Sequence, residues 1–233
     1  MQSSVPTFDI PFFKGYMDEA PTKENGWKLD HDGPVSKEFK DSPLKIYKKL
    51  IEGEPIVTIR VEASLKGVRL ENLFTMATDI KYREKMERAP KVIKTVEQFN
   101  KNTDVIYTEM EFPFPLSNRE FLQKRLYFGN KEDKELVKRL GMYEKDHRYY
   151  AVLVQSTERD DYPKKNEPIR AETKIQFILI EEVPNDPHTV KYTMVMCQRM
   201  NGDIPNMMIN KMSSKMPIKI VEGFLDLYPK CFN

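Results

Sequence analysis

Apolar and polar residues alternate most cleanly over residues 56–63, where Val57, Ile59, Val61 and Ala63 are interleaved with Thr58, Arg60 and Glu62. A period of two sends successive side chains to opposite faces, so this run predicts a half-buried strand. Beyond Gly67 the period changes. Leu70, Leu73, Phe74 and Ala77 recur at three- and four-residue steps, which predicts an amphipathic helix, and a second helical piece over residues 80–88 stops before Pro90. Residues 92–99, 105–112, 121–128, 149–156, 169–183 and 190–199 are rich in β-branched and aromatic side chains and predict a long succession of strands. Shorter strand-like runs begin at Trp27 and Leu44, and residues 9–19 predict a short helix ahead of a polar linker. Residues 130–148 read as a charged, solvated excursion with a short helix, and residues 160–168 as a proline-bounded loop. A final helix over residues 206–227 is expected to bend at Pro217. This order predicts an α+β domain over residues 27–233, with helices packed on a strongly curved antiparallel sheet, preceded by an N-terminal segment, residues 1–26.

Two strand-like runs flank residues 112–121, Phe-Pro-Phe-Pro-Leu-Ser-Asn-Arg-Glu-Phe. Pro113 and Pro115 cannot donate to a sheet ladder, so pairing should stop there. The loop then offers apolar Phe114 and Leu116 at its tip, followed by Ser117, Asn118, Arg119 and Glu120. Two readings stand side by side: a gate over an apolar site, or a structural corner in which Arg119 and Glu120 pair.

Composition narrows the function classes. The 233 residues carry a net charge of +2 with both signs interspersed, and no basic tract is joined to a nucleic-acid-binding motif, so nucleic acid is not expected as a partner. Cys197 and Cys231 are too few for a disulfide scaffold and suit a reducing compartment. The chain start lacks a secretory signal pattern and no apolar run approaches a bilayer span. A cytoplasmic monomer touching membranes peripherally is the expectation, with an upstream targeting segment left open.

Catalytic signals are weak. His31, His147 and His188 lie in polar, loop-like settings without metal-ligand spacing, so no metal site or cofactor is expected, and no nucleophile elbow, P-loop or dinucleotide fingerprint occurs. Glu109 and Glu111 share one strand face, where a solvated or ion-paired role suits them better than acid–base work. Binding is favoured over chemistry. Met200, Met207, Met208, Met212 and Met216 gather near the final helix, as either a methionine-filled core or a surface that repacks around variable apolar ligands.

Several separated landmarks now converge. Trp27 opens the first strand, and residues 79–83 read Asp-Ile-Lys-Tyr-Arg. The 112–121 loop, Pro168-Ile169-Arg170-Ala171, and Asn201-Gly202-Asp203-Ile204-Pro205 with Asn210 follow in order. In these pieces the chain resembles the START (StAR-related lipid-transfer) domain family over about residues 20–230, and within it the phosphatidylcholine-transfer branch. The resemblance implies a helix-grip fold, an antiparallel sheet curled around a long C-terminal helix, with one lipid in an internal tunnel and no enzymatic activity. It places Arg83 at the lipid phosphate, where a phosphate supplies bidentate acceptors to a buried guanidinium. A surface ion pair of Arg83 with Asp79 or Glu87 is the alternative.

Departures from the family pattern bear on the headgroup. Met86-Glu87 replaces a Trp-Asp pair. Where the branch encloses choline in aromatics, this chain has Thr108 and Lys174, with Phe121 keeping an aromatic. By strand alternation Lys174 with Gln176, Thr108 with Met110, and Phe121 with Arg125 share faces and are expected to build a polar cavity end for another or broader headgroup. The resemblance offers Glu109 as the partner of Arg125, by analogy with the buried acid–base pair of the sterol-binding relatives. The resemblance also assigns acyl-chain and lid contacts to Met110, Phe114, Leu116, Met207, Met208 and Met212. The expected ligand is a phospholipid, moved between membranes; a sterol or single-chain-lipid binder, a ligand sensor acting through residues 130–148, and a helix-grip enzyme are the alternatives.

Overall fold

The computed structural model describes residues 4–86, 90–112, 114–202 and 204–232. In chain order the elements are α1 (Ile10–Asp18), β1 (Lys28–Pro34), β2 (Pro43–Lys49), β3 (Thr58–Lys66), α2 (Leu70–Thr78), α3 (Ile80–Arg83), β4 (Val92–Asn100), β5 (Thr103–Met110) and β6 (Arg119–Gly129). They continue with α4 (Lys134–Arg139), β7 (Tyr149–Ser156), β8 (Ile169–Arg170), β9 (Glu172–Val183), β10 (Asp186–Arg199), α5 (Asn206–Met212) and α6 (Lys215–Phe232). The strands form one sheet in the order β1-β2-β3-β10-β9-β7-β6-β5-β4, antiparallel throughout except for the two-residue β8, which runs parallel to β6. The curved sheet wraps the long C-terminal helix, as the resemblance implies.

Alternation along the central strands builds two cores. Tyr150, Val152 and Val154 of β7, Ile178 and Ile180 of β9, and Tyr192, Met194 and Met196 of β10 pack with α2 and with Val221, Phe224, Leu225 and Tyr228 of α6. The opposite faces of the same strands, Tyr149, Ala151, Leu153, Phe177, Leu179 and Val195, pack against Ile10, Phe13 and Met17 of α1 and Val137 of α4. Phe13, Phe177 and Leu153 are fully buried, each a side chain whose burial stabilises by about 1.5–3 kcal/mol. Coverage on both faces explains why β7 reads as an unbroken apolar run, Tyr-Tyr-Ala-Val-Leu-Val, and not as an alternation.

Helix ends follow local chemistry. Asp9 caps α1 by accepting from Phe12 N at 3.1 Å, and Glu19 just beyond it accepts from Trp27 Nε1 at 2.6 Å and pairs with Lys49 at 2.7 Å. The bend expected at Pro217 lies elsewhere: α5 stops at Met212 and α6 starts at Lys215. Pro217 sits in the first turn of α6, where a missing N–H leaves no bond unmade. The charged excursion is less solvated than its composition suggests. Val137 and Met142 are buried, and Asn130 ties the excursion down, donating to His147 O at 3.0 Å and accepting from Tyr149 N at 2.8 Å.

Candidate functional site

Between the inner sheet face and α6 lies a cavity of about 130 Å³, and beside it, under α5, a second of about 360 Å³. The two share Phe112, Met196, Gln198, Met200 and Met216 in their walls. The second is almost wholly apolar, with Ile56, Ile59, Leu116, Ile204 and Met208 in its lining. The first carries the polar groups.

Cross-strand register sets those groups. Thr108 of β5 stands opposite Phe121 of β6, Ile106 opposite Gln123, and Asp104 opposite Arg125. Thr108, Met110, Phe121, Gln123 and Arg125 all line the first cavity, joined by Gln176 from β9 and Gln198 from β10. Arg125 is neutralised by Asp104, which accepts from Nε at 2.8 Å and from Nη2 at 2.5 Å, while Nη1 donates to Thr78 O at 2.9 Å. The expected partner Glu109 is not used. It lies opposite Glu120 near the far end of the ladder, out of phase with Arg125, and takes up Asn118 at 2.9 Å and Lys91 at 3.3 Å.

Lys174 also departs from the alternation. Cys197 pairs with Ile175 but Gln198 with Thr173, so Lys174 is the extra residue of a β-bulge. The bulge turns Thr173 toward the cavity side, where its Oγ1 accepts from Gln123 at 2.7 Å and from Gln198 at 3.3 Å. Lys174 pairs with Glu172 at 3.0 Å, in a chain of charges running through Arg199 to Glu54, and it does not line either cavity. Gln123 was legible from its phase with Phe121 and Arg125; Asp104, Thr173 and Gln198 were not, because register and the bulge place them.

Arg83 closes the first cavity at the end of α3. Asp79 caps that turn and pairs with Lys81 at 2.8 Å, and Glu87 lies outside the described residues. Among the described residues the Arg83 guanidinium has no hydrogen-bond or ion-pair partner; the side chain is partly buried and lines the cavity. Burial holds its pKa below the usual arginine value, and the like charge of Arg125 adds to this.

The loop and α5 cover the second cavity. Leu116 and Met208 line it, Met208 with half of its surface exposed, whereas Phe114 is 97% and Met207 82% exposed and neither lines either cavity. The Met212 side chain and Pro113 lie outside the described residues. Arg119 and Glu120 do not pair with each other. Arg119 donates to Met200 O at 2.7 Å, to Asn201 O at 3.1 Å and to Ser117 O; Glu120 accepts from Arg170 at 2.7 Å and Tyr107 at 2.9 Å. Asn210 anchors α5, accepting from Val57 N and donating to Pro55 O, both at 3.0 Å. Gly202 turns the chain between β10 and α5 at φ +66°, and a Cβ there would stand 2.6 Å from Ile169 Cδ1. Gly202→Ala is expected to cost about 1–2 kcal/mol, from left-handed strain and the close approach; the denaturant midpoint measures it.

Among the described residues no three or more His, Cys, Asp or Glu side chains gather as a metal site, and no helix is long and apolar enough to cross a membrane. His147 Nε2 sits 2.9 Å from Glu181 on the excursion, away from the cavities.

A START domain model matches residues 14–226. The mouse phosphatidylcholine transfer protein is 27% identical over 172 residues, 72% of each chain, and the rat protein 26% over the same span. In three dimensions the fold matches human STARD10 with a TM-score of 0.74 at 20% identity, covering 99% of this chain and 84% of that one. Human StAR-related lipid transfer protein 5 superposes with a TM-score of 0.69 at 14% identity, covering 94% and 90%. These structural likenesses show the fold, and the family model spans most of the sequence: the chain belongs to the START domain family.

Proposed function

We propose that this protein binds one phospholipid in the two adjoining cavities and moves it between membranes without chemical conversion. The observation that carries the reading is Arg83, a guanidinium lining the first cavity with no protein counter-charge among the described residues. An uncompensated buried charge is costly, and a phosphodiester supplies both the charge and paired acceptors. The apolar second cavity suits acyl chains, whose burial at about 25 cal/mol per Å² offsets much of the cost of leaving a bilayer. The 112–118 loop and α5 act as the lid, with inner contacts Leu116 and Met208 and a bilayer-facing edge of Phe114 and Met207. The exposed methionines make that edge adaptable.

Arg83→Ala is expected to lower the phospholipid retained after incubation with vesicles at least about tenfold, with an unchanged melting profile. Native mass spectrometry reads the bound lipid, and labelled-vesicle transfer reads the flux. Unchanged retention would remove Arg83 from phosphate binding; a wild-type protein that neither retains nor transfers any phospholipid would sink the function itself.

A further inference from the structure

We infer that the cavity selects a net-anionic phospholipid whose headgroup is uncharged and rich in hydroxyls, of the phosphatidylglycerol or phosphatidylinositol type, over zwitterionic choline and ethanolamine lipids. The inference rests on the phospholipid reading above and names the headgroup class.

Charge comes first. Among the described residues, Arg83 and Arg125 are the only charged side chains in the walls of the two cavities. Arg125 is cancelled by Asp104 in a buried bidentate pair, leaving one surplus positive charge, that of Arg83. The nearby carboxylates are engaged elsewhere: Glu109 with Asn118 and Lys91, Glu120 with Arg170 and Tyr107. A phosphodiester brings the cavity to neutrality. A choline or ethanolamine lipid carries its own cation in with the phosphate and restores the surplus, with no carboxylate among the described residues of the lining to receive it.

An aromatic cage is the other way to hold such a cation. Among the described residues three phenylalanines reach the first cavity, Phe112, Phe121 and Phe224. The Arg119 guanidinium already sits 5.3 Å from the Phe112 ring centre, and Phe224 is 2% exposed within the packed core of α6. Phe121 alone makes no cage.

What the sheet does present is a cluster of neutral donors and acceptors. Gln123 and Gln198 both donate to Thr173, Gln198 also stands 3.4 Å from the Gln176 carbonyl oxygen, and Thr108 lines the same cavity. Amides and hydroxyls both donate and accept, as do the hydroxyls of a polyol headgroup.

The test is a competition. The full chain is incubated with vesicles containing equal parts of phosphatidylcholine, phosphatidylethanolamine, phosphatidylserine, phosphatidylglycerol and phosphatidylinositol, re-isolated, and its bound lipid identified by native mass spectrometry. Phosphatidylglycerol and phosphatidylinositol are expected to exceed the two zwitterionic lipids at least about tenfold. Equal or greater retention of the zwitterionic lipids overturns the inference and leaves the phospholipid function standing; no bound phospholipid of any class overturns both. Phosphatidylserine has the same net charge on a headgroup that is itself charged, so its retention at the level of phosphatidylglycerol would overturn the uncharged-headgroup part. Arg83→Gln removes the surplus charge, and the anionic bias of whatever lipid it retains should fall to about threefold or less. A variant that keeps the full bias would show that Arg83 is not its source.

Discussion

Asp104→Ala is expected to destabilise the protein by about 3–5 kcal/mol, because it strands a buried arginine rather than merely deleting a contact. Asp104 is 2% and Arg125 6% exposed, and the carboxylate meets two guanidinium nitrogens at 2.8 and 2.5 Å. Without it Arg125 keeps only the Thr78 carbonyl among these acceptors, facing a cavity wall that already holds the Arg83 charge. For a chain of this size each kcal/mol moves the melting temperature by about 2–4 °C, so a fall of roughly 10 °C is expected in a thermal melt followed by circular dichroism. Asp104→Ala combined with Arg125→Met should recover much of the loss, since the stranded charge goes with its partner. A single-variant loss below about 1 kcal/mol would mean that water in the cavity solvates Arg125 adequately.

The second large effect is expected at Arg119. It is 1% exposed and joins the start of β6 to the turn before α5 through the carbonyls of Met200 and Asn201, while bonding Ser117 O in its own loop. Arg119→Ala should cost about 3 kcal/mol, from buried carbonyls left without donors. Arg119→Lys should rescue little, because a single ammonium cannot reproduce a planar fork spread over several acceptors. The readout that separates a hinge from general destabilisation is amide hydrogen exchange. Protection is expected to drop first in residues 112–118 and 200–212, the two halves of the proposed lid. A uniform rise in exchange across the sheet would show that Arg119 stabilises the whole domain and does not couple the lid.

Much of the architecture was legible before any coordinates. Strand periodicity places β3 to β7 and β10 within a few residues but runs β8 and β9 together as one strand, Asp9 marks the start of α1, and the proline pair lies just beyond the end of β5. Arg83, Thr108, Met110, Phe121, Arg125 and Gln176 were named from the chain and stand together in one wall. What escaped was non-local. The helix break fell at Ser213 and Ser214 instead of Pro217, where Ser213 Oγ donates to Asn210 O at 2.7 Å and Ser214 bonds Asp30, a contact 184 residues distant in sequence.

The division between the two kinds of information follows from range. Element type, strand phase and the proline stop depend on side chains a few residues apart, so the chain alone gives the α+β order and the face that Phe121 and Arg125 share. Partner choice depends on register between strands, and a single extra residue reverses the phase of all that follows. Only the folded sheet therefore decided that Arg125 meets Asp104 and not Glu109, that the bulge sends Lys174 to Glu172 and Thr173 to the glutamines, and that Arg83 lines the cavity with no counter-charge among the described residues.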